Sequence, residues 1–122
     1  MCIRDSPLGC AAANACLDLL ENDPIKYLSF EEKHLSHLKK IKTLSLVKNI
    51  RVTGTIAAFD IEIGNNDGYL NNIGKRIKAL SIKKGLFIRP LGNVIYLLPP
   101  LCITDKQLEK CYRIIYEILS DL

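Results

Sequence analysis

The sequence lacks several patterns that would assign it directly to a class. No apolar run approaches the roughly 20 residues needed to cross a bilayer, and even Ile56 to Phe59 is short. Residues 1 to 6, MCIRDS, contain neither the positive segment nor the apolar core of a signal peptide. The five cysteines have no C-x-x-C spacing, which disfavours a disulfide framework and a zinc site. These absences predict a cytoplasmic protein with no membrane segment and no metal site.

Motifs of nucleotide binding and of serine hydrolysis are also missing. The chain has no G-x-G-x-x-G, no Walker loop and no G-x-S-x-G elbow. His34 and His37 lie three apart in a helical pattern with no third ligand nearby, so the sequence favours surface or rim histidines over a metal site. Cys10, Cys16 and Cys111 fall among helical apolar residues and are predicted to be buried structural thiols.

The residues that are present predict one folded domain. The chain has 122 residues, of which 48% are hydrophobic and 25% charged, ordinary values for a globular protein. The net charge of +4 comes from lysines spread over several segments. This distribution favours solvated helix faces, and a basic α+β module that binds nucleic acid is the alternative.

The hydrophobic spacing predicts the order helix, helix, strand, helix, strand, strand, helix. The predicted elements are Pro7 to Glu21, Pro24 to Leu44, Ile50 to Ile63, Tyr69 to Lys84, Leu86 to Arg89, Val94 to Leu98, and a last helix opened by Thr104.

Local residue signals predict how several of these elements end. Thr104 and Gln107 form a capping box, and Gly85 is placed as a helix stop. Gly54 is interpreted as a bulge, a close backbone approach or a twist point within one long strand. Turn-forming residues at 64–68 predict the end of the first strand, and those at 90–93 predict a turn between the last two strands. Together these features predict an α+β fold, a small sheet with helices on one face.

Arg89 is the side chain with the clearest potential for binding. It lies between Ile88 and Pro90 at the end of an apolar strand, where its charge needs an anionic partner. A guanidinium binds a carboxylate through two parallel hydrogen bonds, but a structural salt bridge fits the sequence equally well. Tyr96, seven residues later, can approach the same region across the turn, although the sequence by itself favours a core or rim tyrosine.

The segment GLFIRPLGNVIYLLPPLCITDKQLEKCY resembles the C-terminal region of the class III aminotransferases that make 7,8-diaminopelargonic acid for biotin. PLGCAAANACLDLLE resembles the helix after the cofactor-phosphate loop of this family, and IRVTGTIAAFDIE resembles its first small-domain strand. The resemblance implies that residues 7–122 are the C-terminal small domain of a fold-type I enzyme, with a mainly antiparallel sheet. Residues 1–6 are then adaptor-like and non-native.

The resemblance also implies a reaction. The family uses pyridoxal 5'-phosphate and converts 8-amino-7-oxononanoate to 7,8-diaminononanoate, with S-adenosylmethionine as amino donor, in a homodimer. Arg89 would then bind the carboxylate of the keto acid, and Tyr96 would line the same site. The Schiff-base lysine and other cofactor ligands of the family belong to its large domain. No catalytic, cofactor-binding or metal-binding residue is therefore predicted here, and the isolated chain is expected to be inactive.

Overall fold

The computed structural model describes residues 6–22, 29–62 and 72–122 of the chain. Its elements are α1 (Pro7–Asn22), α2 (Phe30–Ile41), β1 (Val47–Thr53), β2 (Ile56–Ile61), α3 (Ile73–Lys83), β3 (Val94–Leu97) and α4 (Asp105–Ser120). The predicted turn at 64–68 lies outside the described residues, as does the predicted start of the second helix at Pro24.

The three strands form an antiparallel sheet in the order β1-β2-β3. The prediction of one long strand from Ile50 to Ile63 is wrong, because the chain reverses between β1 and β2. Thr53 pairs with Ile56, and Gly54 adopts a φ of 55° between them. A two-residue hairpin turn with glycine at its first position matches the twist of the flanking strands. Gly54 is therefore a turn residue.

One face of the sheet and three helices share a single hydrophobic core. The sheet contributes alternating residues of β2 and β3, as expected when successive side chains point to opposite faces. Helices α2, α3 and α4 contribute Leu38, Ile77 and Ile115, among others. This arrangement confirms the predicted α+β fold.

Helix ends that depend on local signals agree with the sequence. At the start of α4, Thr104 Oγ1 accepts a hydrogen bond from the Gln107 N–H at 3.3 Å. Gln107 Oε1 in turn accepts one from the Thr104 N–H at 2.9 Å, which confirms the capping box. Gly85 follows α3 with a φ of 78° and confirms the predicted stop.

Helix α1 has the predicted bounds to within one residue but contains no buried residue. Leu8 and Leu17 are 84% and 54% exposed. The prediction that Cys10 and Cys16 are buried thiols is wrong, since both are exposed. Helical spacing marks the apolar face of α1, but none of its residues is buried within the described part of the chain. None of the described helices is long and apolar enough to span a membrane.

Candidate functional site

The segment before β3 carries Arg89 and differs from the prediction. Residues 86–90 form no strand. The Leu86 N–H donates to the Ser81 carbonyl at 2.8 Å and so caps α3, while Pro90 has no N–H to donate. At each end of residues 86–90, one backbone N–H is therefore missing from a regular hydrogen-bond ladder with β3. Leu91 and Val94 do exchange two backbone hydrogen bonds of 2.9 Å, which confirms the predicted turn.

Residues 86–89 and 96–100 instead line an open groove of about 360 Å³. Leu108 and Cys111 of α4 also line it, so most of its surface is apolar. Arg89 and Tyr96 both belong to this groove, as the sequence predicted for the two side chains. The isolated Leu91–Val94 pairing brings the two segments together, and Arg89 and Tyr96 each lie two residues beyond it.

The environment of Arg89 differs from the one expected. Its side chain is exposed, whereas Ile88 before it is 5% exposed. Water therefore solvates the guanidinium, and the argument that its charge requires a partner for burial is wrong. Among the described residues Arg89 forms no ion pair, which leaves the structural salt bridge considered above without an acceptor there. A guanidinium at the mouth of an apolar groove can bind an anionic end of a ligand.

Tyr96 and Cys111 give the groove its other polar atoms. Tyr96 is partly buried in β3 and pairs with Ala58 of β2, so the sheet fixes its backbone. Cys111 is partly buried, and burial raises the pKa of its thiol despite the nearby Lys110 charge. A protonated thiol behaves as a small apolar group here. Its partial burial agrees with the prediction made for Cys111.

A buried histidine outside the groove was missed by the sequence prediction. His34 in α2 is fully buried, not a surface residue, and His37 one turn later is partly buried. His34 Nδ1 lies 2.6 Å from Tyr112 Oη, and Nε2 lies 3.0 Å from the Thr55 carbonyl oxygen. The carbonyl can only accept, so Nε2 carries the proton and Nδ1 accepts from Tyr112. Both nitrogens are occupied, and neither is available to a metal.

Burial favours the neutral forms of both His34 and Tyr112. Burial lowers the pKa of His34 below 6.5, the hydrogen bond to Thr55 opposes the shift, and nearby His37 lowers it further. Burial also raises the pKa of Tyr112 well above its ordinary value. The spacing of Phe30, His34 and Leu38 could have revealed the buried position, since residues four apart share a helix face.

Solved structures with this fold identify the class of protein. An adenosylmethionine-8-amino-7-oxononanoate aminotransferase from Methanocaldococcus jannaschii superposes with a TM-score of 0.82 and 28% identity, covering 93% of this chain and 27% of that one. An acetylornithine aminotransferase from Elizabethkingia anophelis superposes with a TM-score of 0.81 and 29% identity, covering 95% of this chain and 29% of that one. The domain therefore has the fold of an aminotransferase segment.

Sequence comparison gives the particular family. The family described as "Aminotransferase class-III" matches residues 5–119. Adenosylmethionine-8-amino-7-oxononanoate aminotransferase from Synechococcus elongatus is 42% identical over 117 residues, which are 96% of this chain and 27% of the relative. The chain belongs to the class III aminotransferases, which confirms the resemblance seen in the sequence. It spans about a quarter of the length of these relatives.

Proposed function

We propose that residues 7–122 are the C-terminal small domain of an enzyme that converts 8-amino-7-oxononanoate to 7,8-diaminononanoate, with S-adenosylmethionine as amino donor. The name of the Synechococcus relative, at 42% identity, supports this reaction. We further propose that Arg89 binds the carboxylate of the keto acid and that Tyr96 lines the same site. The observation that carries the assignment is an apolar groove lined by both a tyrosine and an exposed arginine that has no ion-pair partner among the described residues.

The chemistry of the groove fits a chain-like substrate with an anionic end. Arg89 presents planar donors that match both oxygens of a carboxylate, which a lysine does not. The hydroxyl of Tyr96 can donate a further hydrogen bond, and the apolar lining around Leu108 suits methylene groups. Holding the carboxylate fixes where the reacting carbon lies relative to the rest of the enzyme.

Class III aminotransferases depend on pyridoxal phosphate, which supplies the amino-group transfer. The described lysines do not fit the role of its covalent ligand. All of them are exposed except Lys33, and Lys33 pairs with Asp105 at 2.8 Å. We therefore propose that the cofactor is held by a part of the enzyme beyond these residues, in a cytoplasmic homodimer. The isolated chain should then show neither a pyridoxal-phosphate absorbance band nor turnover.

The carboxylate assignment can be tested in a full-length enzyme. Residues 7–122 would be joined to the upstream part of the Synechococcus relative, and KM measured for the keto acid and for its methyl ester. Arg89→Ala should raise KM for the acid roughly 10- to 100-fold, the range for one hydrogen bond to a charged group. It should change KM for the ester little. Arg89→Lys should retain part of the preference.

Arg76→Ala is the charge-matched control, because Arg76 is an exposed arginine of α3 outside the groove. Its kinetics should equal those of the parent. An unchanged KM for the keto acid in Arg89→Ala would refute the assignment. It would favour another class III substrate, as the structural likeness to the acetylornithine enzyme allows.

A further inference from the structure

The start of α3 contacts the turn that follows Arg89 with no side chain between them. Gly74, the second residue of α3, is buried. A Cβ added to Gly74 would collide with the Gly92 carbonyl oxygen and would lie 3.0 Å from Pro90 Cβ. One of these atoms belongs to the backbone, so a methyl group at residue 74 requires the turn or the helix to move.

The same turn is also held from the opposite direction. The Ile61 N–H at the end of β2 donates to the Asn93 carbonyl at 2.9 Å, and Asn93 Nδ2 donates back to the Ile61 carbonyl at 3.3 Å. Gly92 has a φ of 62°, a conformation that glycine adopts without strain. The turn is therefore fixed between the sheet and α3, and it has little freedom to accommodate a new side chain.

A movement of this turn also displaces Arg89 in the groove. Pro90 is bonded directly to Arg89, and its ring restricts both its own φ and the backbone of the preceding residue. Arg89 therefore moves with Pro90. Tyr96 lies in β3, which is paired with β2 through Ala58 and stays with the sheet. A shift of the turn therefore changes the distance between Arg89 and Tyr96, because only Arg89 moves with the turn.

We propose that Gly74 is a positioning residue for the carboxylate-binding pair, because its missing side chain lets α3 pack against the turn that holds Arg89 in the same groove as Tyr96. This inference rests on the function proposed above for Arg89. It predicts that Gly74→Ala weakens binding of the carboxylate without removing any group that contacts the substrate.

The kinetic test uses the same full-length enzyme. Gly74→Ala should raise KM for the keto acid about tenfold, the lower end of the range expected for losing one hydrogen bond to a charged group, because the bond is weakened but its donor remains. Turnover at saturation should stay within about threefold, because a contact made equally in ground and transition states acts on KM. The preference for the acid over its methyl ester should fall. Lys75→Ala, an exposed change at the next residue of α3, should leave all three unchanged.

A second measurement uses the 122-residue chain itself. In the unsubstituted chain, NMR should show a nuclear Overhauser contact between the Gly74 Hα and Pro90 Hβ protons. Gly74→Ala should shift the resonances of residues 88–96 in a chain that remains folded. Gly9→Ala is the matched control, since the nearest atom to its added Cβ is Ser6 Cβ at 3.8 Å.

The outcomes separate this inference from the proposed function. If Arg89→Ala raises KM for the acid while folded Gly74→Ala does not, Gly74 has no positioning role although the function stands. If Arg89→Ala itself has no effect, the proposed function fails first. A missing contact between Gly74 and Pro90, or a Gly74→Ala chain that no longer folds, also overturns the inference, because Gly74 would then lack the contact or serve only stability.

Discussion

His34 shows how one buried polar residue can join three parts of the fold. Its ring connects α2 to Tyr112 of α4 and to the Thr55 carbonyl in the β1–β2 turn. The ring of His37 stacks on the same tyrosine, with centroids 4.9 Å apart. A buried group whose hydrogen bonds are all satisfied specifies one arrangement of its partners. Loss of the neutral ring should therefore loosen the whole cluster.

Stability should depend on pH through His34. Its folded-state pKa lies below 6.5, so the unfolded chain binds the proton first. The contribution of His34 to the free energy of unfolding should be constant well above pH 6.5. It should decrease as the pH falls from 6.5 towards the folded-state pKa, by at most about 1.4 kcal/mol per pH unit for one proton. Urea unfolding between pH 7.5 and 5 measures this. His34→Gln should flatten the dependence. His37→Gln should keep most of it, because His37 is the smallest of the causes that shift the pKa of His34. A flat profile in the unsubstituted chain would contradict the assignment.

The proximity of Arg89 and Tyr96 was easier to predict from the sequence than the exposure of Arg89. Arg89 and Tyr96 were placed near each other from the turn between them, and the structure places both in one groove. The exposure of Arg89 could not be predicted, because it depends on whether residues 86–90 pair with β3. Two local features disfavour that pairing, since the Leu86 N–H caps α3 and Pro90 has no N–H, but the apolar pattern of residues 86–88 fits a strand equally well.

At the scale of elements, signals within a few residues correctly predicted helix ends, whereas the pairing of strands was harder to predict from the sequence. The capping box at Thr104 and the stop at Gly85 involve neighbours in sequence and were correct. The β1–β2 hairpin was missed because a glycine within a β-branched run fits a bulge as well as a turn. In the structure Glu31 Oε2 accepts from the Gly54 N–H at 3.1 Å, so α2 helps to fix the reversal.

The capping box gives a prediction about α4. Thr104→Ala should lower the free energy of unfolding by about 1 kcal/mol, because it leaves helix N–H groups without an acceptor. The loss should appear in the unfolding of the whole chain and not only in fraying of α4, since α4 supplies six buried residues to the core. Thr104→Ser keeps the hydroxyl and should cost much less. Equal urea midpoints for the alanine and parent chains would show that water replaces the cap without loss.

At the scale of the whole molecule, the packed part and the exposed part of the chain are distinct. Helices α2 to α4 and the sheet share one core, whereas α1 contributes no buried residue. The relatives are about four times as long as the match, which gives a reason for an apolar helix that remains uncovered in this chain. Helical periodicity finds the apolar face of α1 but does not say which surface covers it.

This separation predicts that the core folds without α1. Deleting residues 1–22 should change the free energy of unfolding by less than about 0.5 kcal/mol, as for surface changes remote from the core. It should also reduce self-association, because Leu8 is 84% exposed and apolar patches promote aggregation. Leu108→Ala, a truncation of a residue 1% exposed in α4, is the control and should cost about 2 to 5 kcal/mol. Urea unfolding and light scattering measure both effects. A deletion as costly as Leu108→Ala would contradict this prediction and would mean that α1 packs against the core in solution.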